Sequence, residues 1–502
     1  MRIPRLSRVA PLLVGVLTAV ALAGFAPAAS ATTTTSTVLH VNASTGVDSA
    51  TCGPAAAPCK TISQAVTNAA AGDTIKVAAG RYSEQVTISK RLKIVGPGWS
   101  GSGLARVSPP APTTTTPTYN GFLVTSAGAG STIRGFAVTG AYGEGILAVH
   151  TSHVTIQDNI VFLNDTGASQ ASPTYRECQA SGPVPGDCGE GIHLMSVTNS
   201  VVDYNSVYGN TGGILLTDEL GPTARNLVAY NNVTLNVYDC GITAASHNPN
   251  AAPNGVPAPK VGGIYDNRFI GNYASEDGTL GFGAGLVLAG AGPGTAVYDN
   301  LVEANTFVQN GLGGVTLHDH APGQYMDGNA IIGNTFSGND TVGGNGAPGD
   351  ASTFGASGGG LHKSADVIIF SGYDTVLWTV ISGNRFANAY YGIWTYKAPS
   401  ILSMNSFEKT ITHWVSQSPP PAKVTIKGPK SAKVGAAITL SGMAQPGQKV
   451  RLYRVIGSTH RWLAVTMASA TGAWKLKVTL AKAGEVFQAF SYGQRSHWLT
   501  VK

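Results

Sequence analysis

Apolar and polar positions alternate along the middle of the chain in short runs of about four to six residues, and each run opens on a glycine. The series is Gly145-Ile146-Leu147, Gly191-Ile192-His193-Leu194, Gly213-Ile214-Leu215-Leu216 and Gly241-Ile242. It continues with Gly285-Leu286-Val287-Leu288, Gly314-Val315-Thr316-Leu317, Gly360-Leu361 and Gly392-Ile393-Trp394. A period of two between glycines predicts short strands; helical repeats would show a 3.6-residue period, which is missing. A second marker runs in phase, an Asn-x-apolar triplet starting at Asn159, Asn205, Asn231, Asn267, Asn300, Asn329, Asn384 and Asn405. Successive triplets lie 46, 26, 36, 33, 29, 55 and 21 residues apart. Six of them carry another Asn five residues on (Asn164, Asn210, Asn236, Asn272, Asn305 and Asn334), and two extend to Asn310 and Asn339. Such self-similarity predicts a solenoid of stacked coils with uneven loops. Asn suits a repeated corner because it tolerates a left-handed turn and its amide can bond the Asn above it. The expected fold is all-β, a parallel β-helix with apolar side chains turned inward.

The flanks read differently. Arg2, Arg5 and Arg8 precede an apolar run from Val9 to Phe25 and the small-x-small site Ala29-Ser30-Ala31, so residues 1–31 are expected to be a secretory signal peptide. No later apolar run is long enough to span a bilayer. Residues 38–100 are expected to cap the solenoid, with strands at Leu39–Val41, Thr74–Val77 and Leu92–Val95 and an amphipathic helix over about Ile62–Ala71. That helix would cover the apolar end of the β-helix domain, residues 38–417. Ser418-Pro419-Pro420-Pro421 reads as a stiff linker, and residues 422–502 as a small Ig-like β-sandwich with strands such as Ile438–Ser441 and Trp474–Leu480.

Charge divides at the linker. From Ala422 onward there are 13 Lys or Arg against Glu485 alone, a formal +12, whereas the whole chain is +6. Without that module and the three signal arginines, 16 basic residues face 25 acidic ones, or −9. A basic module on an acidic body suggests attachment to an anionic wall polymer or acidic polysaccharide, with a lysine-rich soluble spacer as the plain alternative. Nucleic acid suits an exported protein poorly. Five cysteines leave one over: Cys52–Cys59 and Cys178–Cys188 are the expected disulfides, Cys240 a buried thiol, and Cys188–Cys240 the competing pairing.

Registering the coils on their glycines lines up the strand ends. The column reads His150/Thr151, Ser196/Val197, Asp218/Glu219, Ser246/His247, Gly290/Ala291, Asp319/His320, Ala365/Asp366 and Lys397/Ala398. Stacked coils repeat at about 4.8 Å, so neighbours in this column are within reach of each other. Two groups result: Asp218, Glu219 and His247, then His318, Asp319, His320 and Asp366. Between them Leu288-Ala289-Gly290-Ala291-Gly292 lacks large side chains and could admit one residue of a chain-like ligand. Glu219 with His247, or Asp319 with His320, could supply an acid and a base. Asp218, His318, Asp366 and Lys397 are the expected substrate contacts. The two groups stand roughly 14 Å apart by ladder geometry, beyond the inverting-glycosidase spacing of about 6.5–9.5 Å. Strand-end Asp, His and Ser also form turns in any solenoid. His318 and His320 lack a clear third zinc ligand; Asp218 and Glu219 offer oxygen ligands that calcium could use, and the sequence leaves the metal unknown. His193 and His362 face outward and could belong to a neighbouring face.

Coils, capping segment and Asn ladder together resemble the pectin-lyase-like right-handed β-helix superfamily over residues 38–417, nearest to secreted bacterial β-helix repeat proteins. The resemblance implies polysaccharide binding along the helix, often with lyase, hydrolase or epimerase chemistry. Departures are plain: there is no Gly-His-Gly, Arg91-Leu92-Lys93 lies in the cap, and Arg225, Arg268 and Arg385 fall outside the column. No catalytic residue carries over. The expected function is a secreted lyase or glycoside hydrolase acting on an extracellular polysaccharide, with a non-catalytic glycan-binding or adhesion protein of the envelope as the alternative.

Overall fold

The computed structural model describes residues 36–98, 103–111, 120–164, 189–280, 283–319, 321–341, 364–416, 424–444, 449–456, 459–469, 471–491 and 494–502. Residues 37–416 within it wind into a right-handed parallel β-helix. Each coil visits three sheets in turn. Sheet I has 12 strands from Val38–Val41 to Ile401–Ser403, sheet II has 11 from Gly80–Tyr82 to Ser406–Glu408, and sheet III has 11 from Val86–Ile88 to Thr412–Ser416. Strands within each sheet are parallel and in register, which stacks like on like. Ile146, Ile192, Ile214, Ile242, Leu286, Val315, Val367 and Ile393 form one inward file of sheet III. In sheet II the corresponding file passes from Val161, Val207, Val233 and Ala274 to Phe307, Phe336, Phe386 and Phe407. Those four rings stack with centroids 5.0–5.3 Å apart. Burying each such side chain contributes about 1.5–3 kcal/mol.

Three Asn ladders, one per corner, hold the coils. Between sheets I and II stand Asn159, Asn205, Asn231, Asn272, Asn305, Asn334, Asn384 and Asn405. Between sheets II and III stand Asn164, Asn210, Asn236, Asp277, Asn310, Asn339 and Asp366. Between sheets III and I stand Ser200, Asn226, Asn267, Asn300 and Asn329. The Asn-on-Asn rungs repeat one pattern. Asn205 donates from Nδ2 to Asn231 Oδ1 (3.0 Å) and to the Ile156 carbonyl (2.9 Å), while its own Oδ1 accepts the Asn159 backbone N–H and Nδ2 (both 3.0 Å). The amide is fully satisfied although buried. The single sequence series of triplets is therefore corrected: Asn267, Asn300 and Asn329 belong to the third corner, whereas Asn159 and Asn384 belong to the first. Corners five residues apart look alike in sequence, and the count slipped by one corner between Asn231 and Asn267.

The N-terminal helix is Ile62–Asn68, shorter than expected. Thr61 caps it by accepting the Gln64 N–H (3.2 Å), and the Glu84 carboxylate accepts the Ile62 and Ser63 N–H groups (both 2.8 Å). Ile62, Ala65 and Val66 are buried over the first coils. Cys52 and Cys59 form a disulfide, which fits an oxidising extracytoplasmic compartment. Cys178 and Cys188 lie outside the described residues. Among the described residues no helix is long and apolar enough to cross a membrane.

Beyond the solenoid, two antiparallel sheets enclose a separate core. Ala437–Met443 pairs with Ala473–Thr479, and Lys449–Ile456 pairs with Thr459–Met467 and Glu485–Ser491. Trp474 is part of that core and Trp498 is exposed. This module packs directly on the solenoid. Arg451 Nε reaches Asp327 Oδ2 at 2.6 Å, its Nη1 donates to the Thr375 carbonyl, and its guanidinium lies 5.2 Å from the Tyr325 ring centre. Both charges are buried, so Arg451→Met alone should cost about 3–5 kcal/mol by stranding Asp327. Arg451→Met with Asp327→Leu should recover most of that loss in urea unfolding. Equal losses in the single and double variants would contradict a coupled pair.

Asp277 breaks the Asn pattern, placing an oxygen where every neighbour has a donor. Its Oδ1 accepts from Asn236, while Oδ2 has no hydrogen-bond partner among the described residues. Burial pushes its carboxyl up to about 7, against the two bonds from Asn236 that pull it down. A raised acid loses folded-state stability as pH climbs from 3.8 through about 7. Asp277→Asn, which restores the donor, should therefore stabilise the protein by up to about 4 kcal/mol above pH 7 and little near pH 4. Thermal unfolding of both proteins across that range measures it, and a pH-independent difference would count against a neutral buried carboxyl.

Candidate functional site

Sheet III turns one residue in two outward. Along Glu190–Met195, Ile192 and Leu194 enter the core, while His193 faces away in register with Leu147, Leu215 and Thr243. A polar network runs across this outer face. Glu144, one coil before, accepts the Glu190 backbone N–H at Oε2 (2.8 Å) and meets His193 Nδ1 at Oε1 (3.1 Å). His193 Nε2 meets Thr217 Oγ1 at 2.8 Å. The Thr217 hydroxyl and the His193 charge both act on Glu219, and Glu219 Oε1 meets His247 Nδ1 at 2.7 Å.

The expected pair Glu219 and His247 does stand together on adjacent rungs. Burial pushes the Glu219 carboxyl up, but the bond from His247 and the charges of His193 and His247 outweigh it, leaving the group below its ordinary value. Its side chain is 11% exposed against 1% for His247, so Glu219 is the member that meets solvent. Asp218, expected to touch substrate, is instead fully buried. It accepts from Ser246 Oγ (2.9 Å) and from the backbone N–H groups of His247 (2.6 Å), Asn248 (3.0 Å) and Gly263 (2.5 Å). Burial raises its carboxyl despite those four donors. Asp218 thus pins the loop that carries His247.

The second expected group disperses. Asp319 Oδ2 accepts the Asp374 N–H (2.5 Å) and its carbonyl accepts the Gly372 N–H, so it fastens a loop as Asp218 does. His318 is buried, in register with Ala289 and Phe370. His320 lies outside the described residues. Asp366 is corrected outright: Val315 pairs with Val367, which puts Asp366 at the opposite end of its strand. There it ends the second ladder, accepting Asn339 Nδ2 at 2.8 Å, with burial raising its carboxyl to about 7. The marker at Gly360 had set that coil out of register. Lys397 does fall in the column, half-buried, with Nζ 5.1 Å from the Tyr396 ring centre, but five rungs from Glu219. The bare rung is filled, since a Cβ on Gly290 would meet Gln324 Nε2 at 2.2 Å. Small residues persist beside it, with Ala245 paired to Ala289 on the rungs next to His247.

Glu144, Glu190 and His193 are the residues the strand-end column missed. Each offers one donor atom within 4.8 Å of the others, and all three are buried. Glu144-Gly145-Ile146 and Glu190-Gly191-Ile192 repeat an acid just ahead of the coil glycine, and that signal was legible. Two carboxylates and an imidazole, without thiolate or thioether, suit a divalent ion of hard or borderline character and not Cu(I). The carboxylate of Asp218, by contrast, is already taken up by backbone N–H groups and Ser246. Cys240 is a free buried thiol whose pKa burial and Asp239 raise, which leaves it a poor nucleophile.

Residues 68–279 match the family described as periplasmic copper-binding protein (NosD). No curated protein matches the chain in sequence. Among solved structures, the A-module of the mannuronan C-5 epimerase AlgE4 of Azotobacter vinelandii is 14% identical, covering 70% of this chain and 91% of its own at a TM-score of 0.42. The pectate lyase Pel9A is 17% identical, with 70% and 78% coverage and a TM-score of 0.39. DFA-IIIase of Arthrobacter chlorophenolicus A6, without its lid, is 12% identical, with 75% and 92% coverage and a TM-score of 0.40. Identity at this level does not carry an activity from one chain to another.

Proposed function

We propose that the chain is an exported carbohydrate-active protein that acts on an acidic polysaccharide at the outer face of sheet III, by proton abstraction. The observation that carries this reading is the Glu219–His247 pair, held on adjacent rungs beside the small residues Ala245 and Ala289. Glu219, the member of the pair that meets solvent, is held ionised by His247 and serves as the proton acceptor, with His247 Nδ1 orienting it. The same lowered carboxyl is a poor proton donor to a leaving group, so the pair suits a lyase or epimerase-like step better than an acid-dependent hydrolysis. Asp218 and Thr217 act by positioning these two side chains.

The test is a panel of uronate and neutral polysaccharides, read for absorbance of unsaturated sugars and for reducing ends. Turnover of a uronate polymer is expected, with Glu219→Gln and His247→Gln each lowering it about 10²–10⁴-fold. Both variants retaining full turnover would remove the pair from the chemistry. No turnover on any polymer, with glycan binding intact, would leave the non-catalytic envelope protein.

A second reading attaches to Glu144, Glu190 and His193, which lie inside the segment matched to the copper-binding description: reversible binding of a divalent ion. Calorimetric titration with Cu(II), Zn(II) and Ca(II) should show one site, lost in Glu190→Gln. A titration that Glu190→Gln leaves unchanged would move the metal elsewhere.

A further inference from the structure

A cleft of about 370 Å³ opens where the C-terminal module meets the solenoid, lined by Leu377, Trp378, Ser400, Ile401, Phe490 and Arg495. Its volume falls in the lower part of the range of about 300–1,000 Å³ for small-molecule sites, and its place at a junction between two cores is a common one for such sites. The polar network on sheet III does not include these residues.

Trp378 is the unusual member. The left-handed corner residues between sheets III and I run Asn199, Arg225, Asp266, Asp299, Gly328 and then Trp378, with φ between 53° and 76°. Asn, Asp and Gly tolerate that conformation best, and Trp378 is the aromatic at this corner, as Tyr204 and Tyr230 are at the corner between sheets I and II. The corner brings an indole to the cleft wall. Its ring centre lies 4.3 Å from that of Phe490 and 6.0 Å from that of Tyr453, which fixes the ring's orientation. On the opposite strand Arg495 is exposed and makes no ion pair among the described residues. It is one of the 13 basic residues of a module that has a single acid, Glu485, and Glu485 is paired with Arg454.

A rigid aromatic wall, a hydroxyl at Ser400 and an unpaired guanidinium on a cationic module form a complementary set for a sugar ring bearing a carboxylate. The ring's apolar face would lie on the indole, and its carboxylate would take charge-assisted bonds from Arg495. We infer that this cleft binds a uronate residue of an acidic glycan, as a non-catalytic site separate from the face of sheet III. This goes beyond the proton-abstraction reading and holds whether or not the chain turns polymer over.

Isothermal titration of the full chain with a galacturonate tetrasaccharide tests it, with maltotetraose as the uncharged control. Glu219→Gln serves as the background in which sheet III is impaired. Binding of the uronate is expected in the wild type and in Glu219→Gln, at least tenfold weaker for maltotetraose, and at least tenfold weaker in Arg495→Gln. Arg495 is exposed, so its replacement should leave thermal unfolding unchanged, whereas Trp378→Ala removes contacts to Phe490 and is read only beside an unfolding curve. Equal affinity in Arg495→Gln, equal affinity for the neutral sugar, loss in Glu219→Gln alone, or no binding at all would each overturn the proposal.

Discussion

The bond from one asparagine amide to the asparagine of the next coil is the interaction on which the rest depends. A corner in a parallel β-helix removes backbone groups from the sheets and buries them, and unmatched polar groups there cost about 1–3 kcal/mol each. Asn supplies two donors and two acceptor sites at the required spacing, and the left-handed residue before it turns the chain. Because the ladders force all coils to superpose, Ile192 falls on Ile214 and Phe336 on Phe386. The same superposition sets Glu219 beside His247. Site geometry is thus inherited from corners remote from the site.

Much of this was legible in the chain. Glycine-led alternation predicted the strands of sheet III, and counting from Gly213 and Gly241 put Glu219 next to His247 correctly. What failed did so for definite reasons. Corners separated by equal five-residue steps are indistinguishable from sequence, so three ladders were read as one. Gly360 imitates a coil start although the coil's strand begins at Ala365, and Asp366 was carried onto the wrong edge. The empty rung at Gly290 could not reveal Gln324, which folds back from the following coil.

Acidic residues on such a solenoid fall into physically different kinds that composition alone cannot separate. Asp218 and Asp319 accept backbone N–H groups and fasten loops, while Asp277 and Asp366 replace ladder amides and stay protonated to higher pH. Asp327 neutralises an arginine from the C-terminal module. Glu144, Glu190 and Glu219 are turned to other side chains on the outer face of sheet III. Which kind an acid belongs to depends on where its coil is entered, and that information is three-dimensional.

From Gln157 onward, exactly two residues separate every strand of sheet I from the following strand of sheet II, as with Tyr204 and Asn205. Beyond that point, variation in coil length among the described residues falls in sheet III and the two edges that border it. New segments can be accepted there without breaking the uniform seam, whereas one added residue at the seam would throw the next asparagine off its partner. Novelty in such a chain accumulates beside a single face, and a lineage could remodel its ligand while leaving the frame untouched.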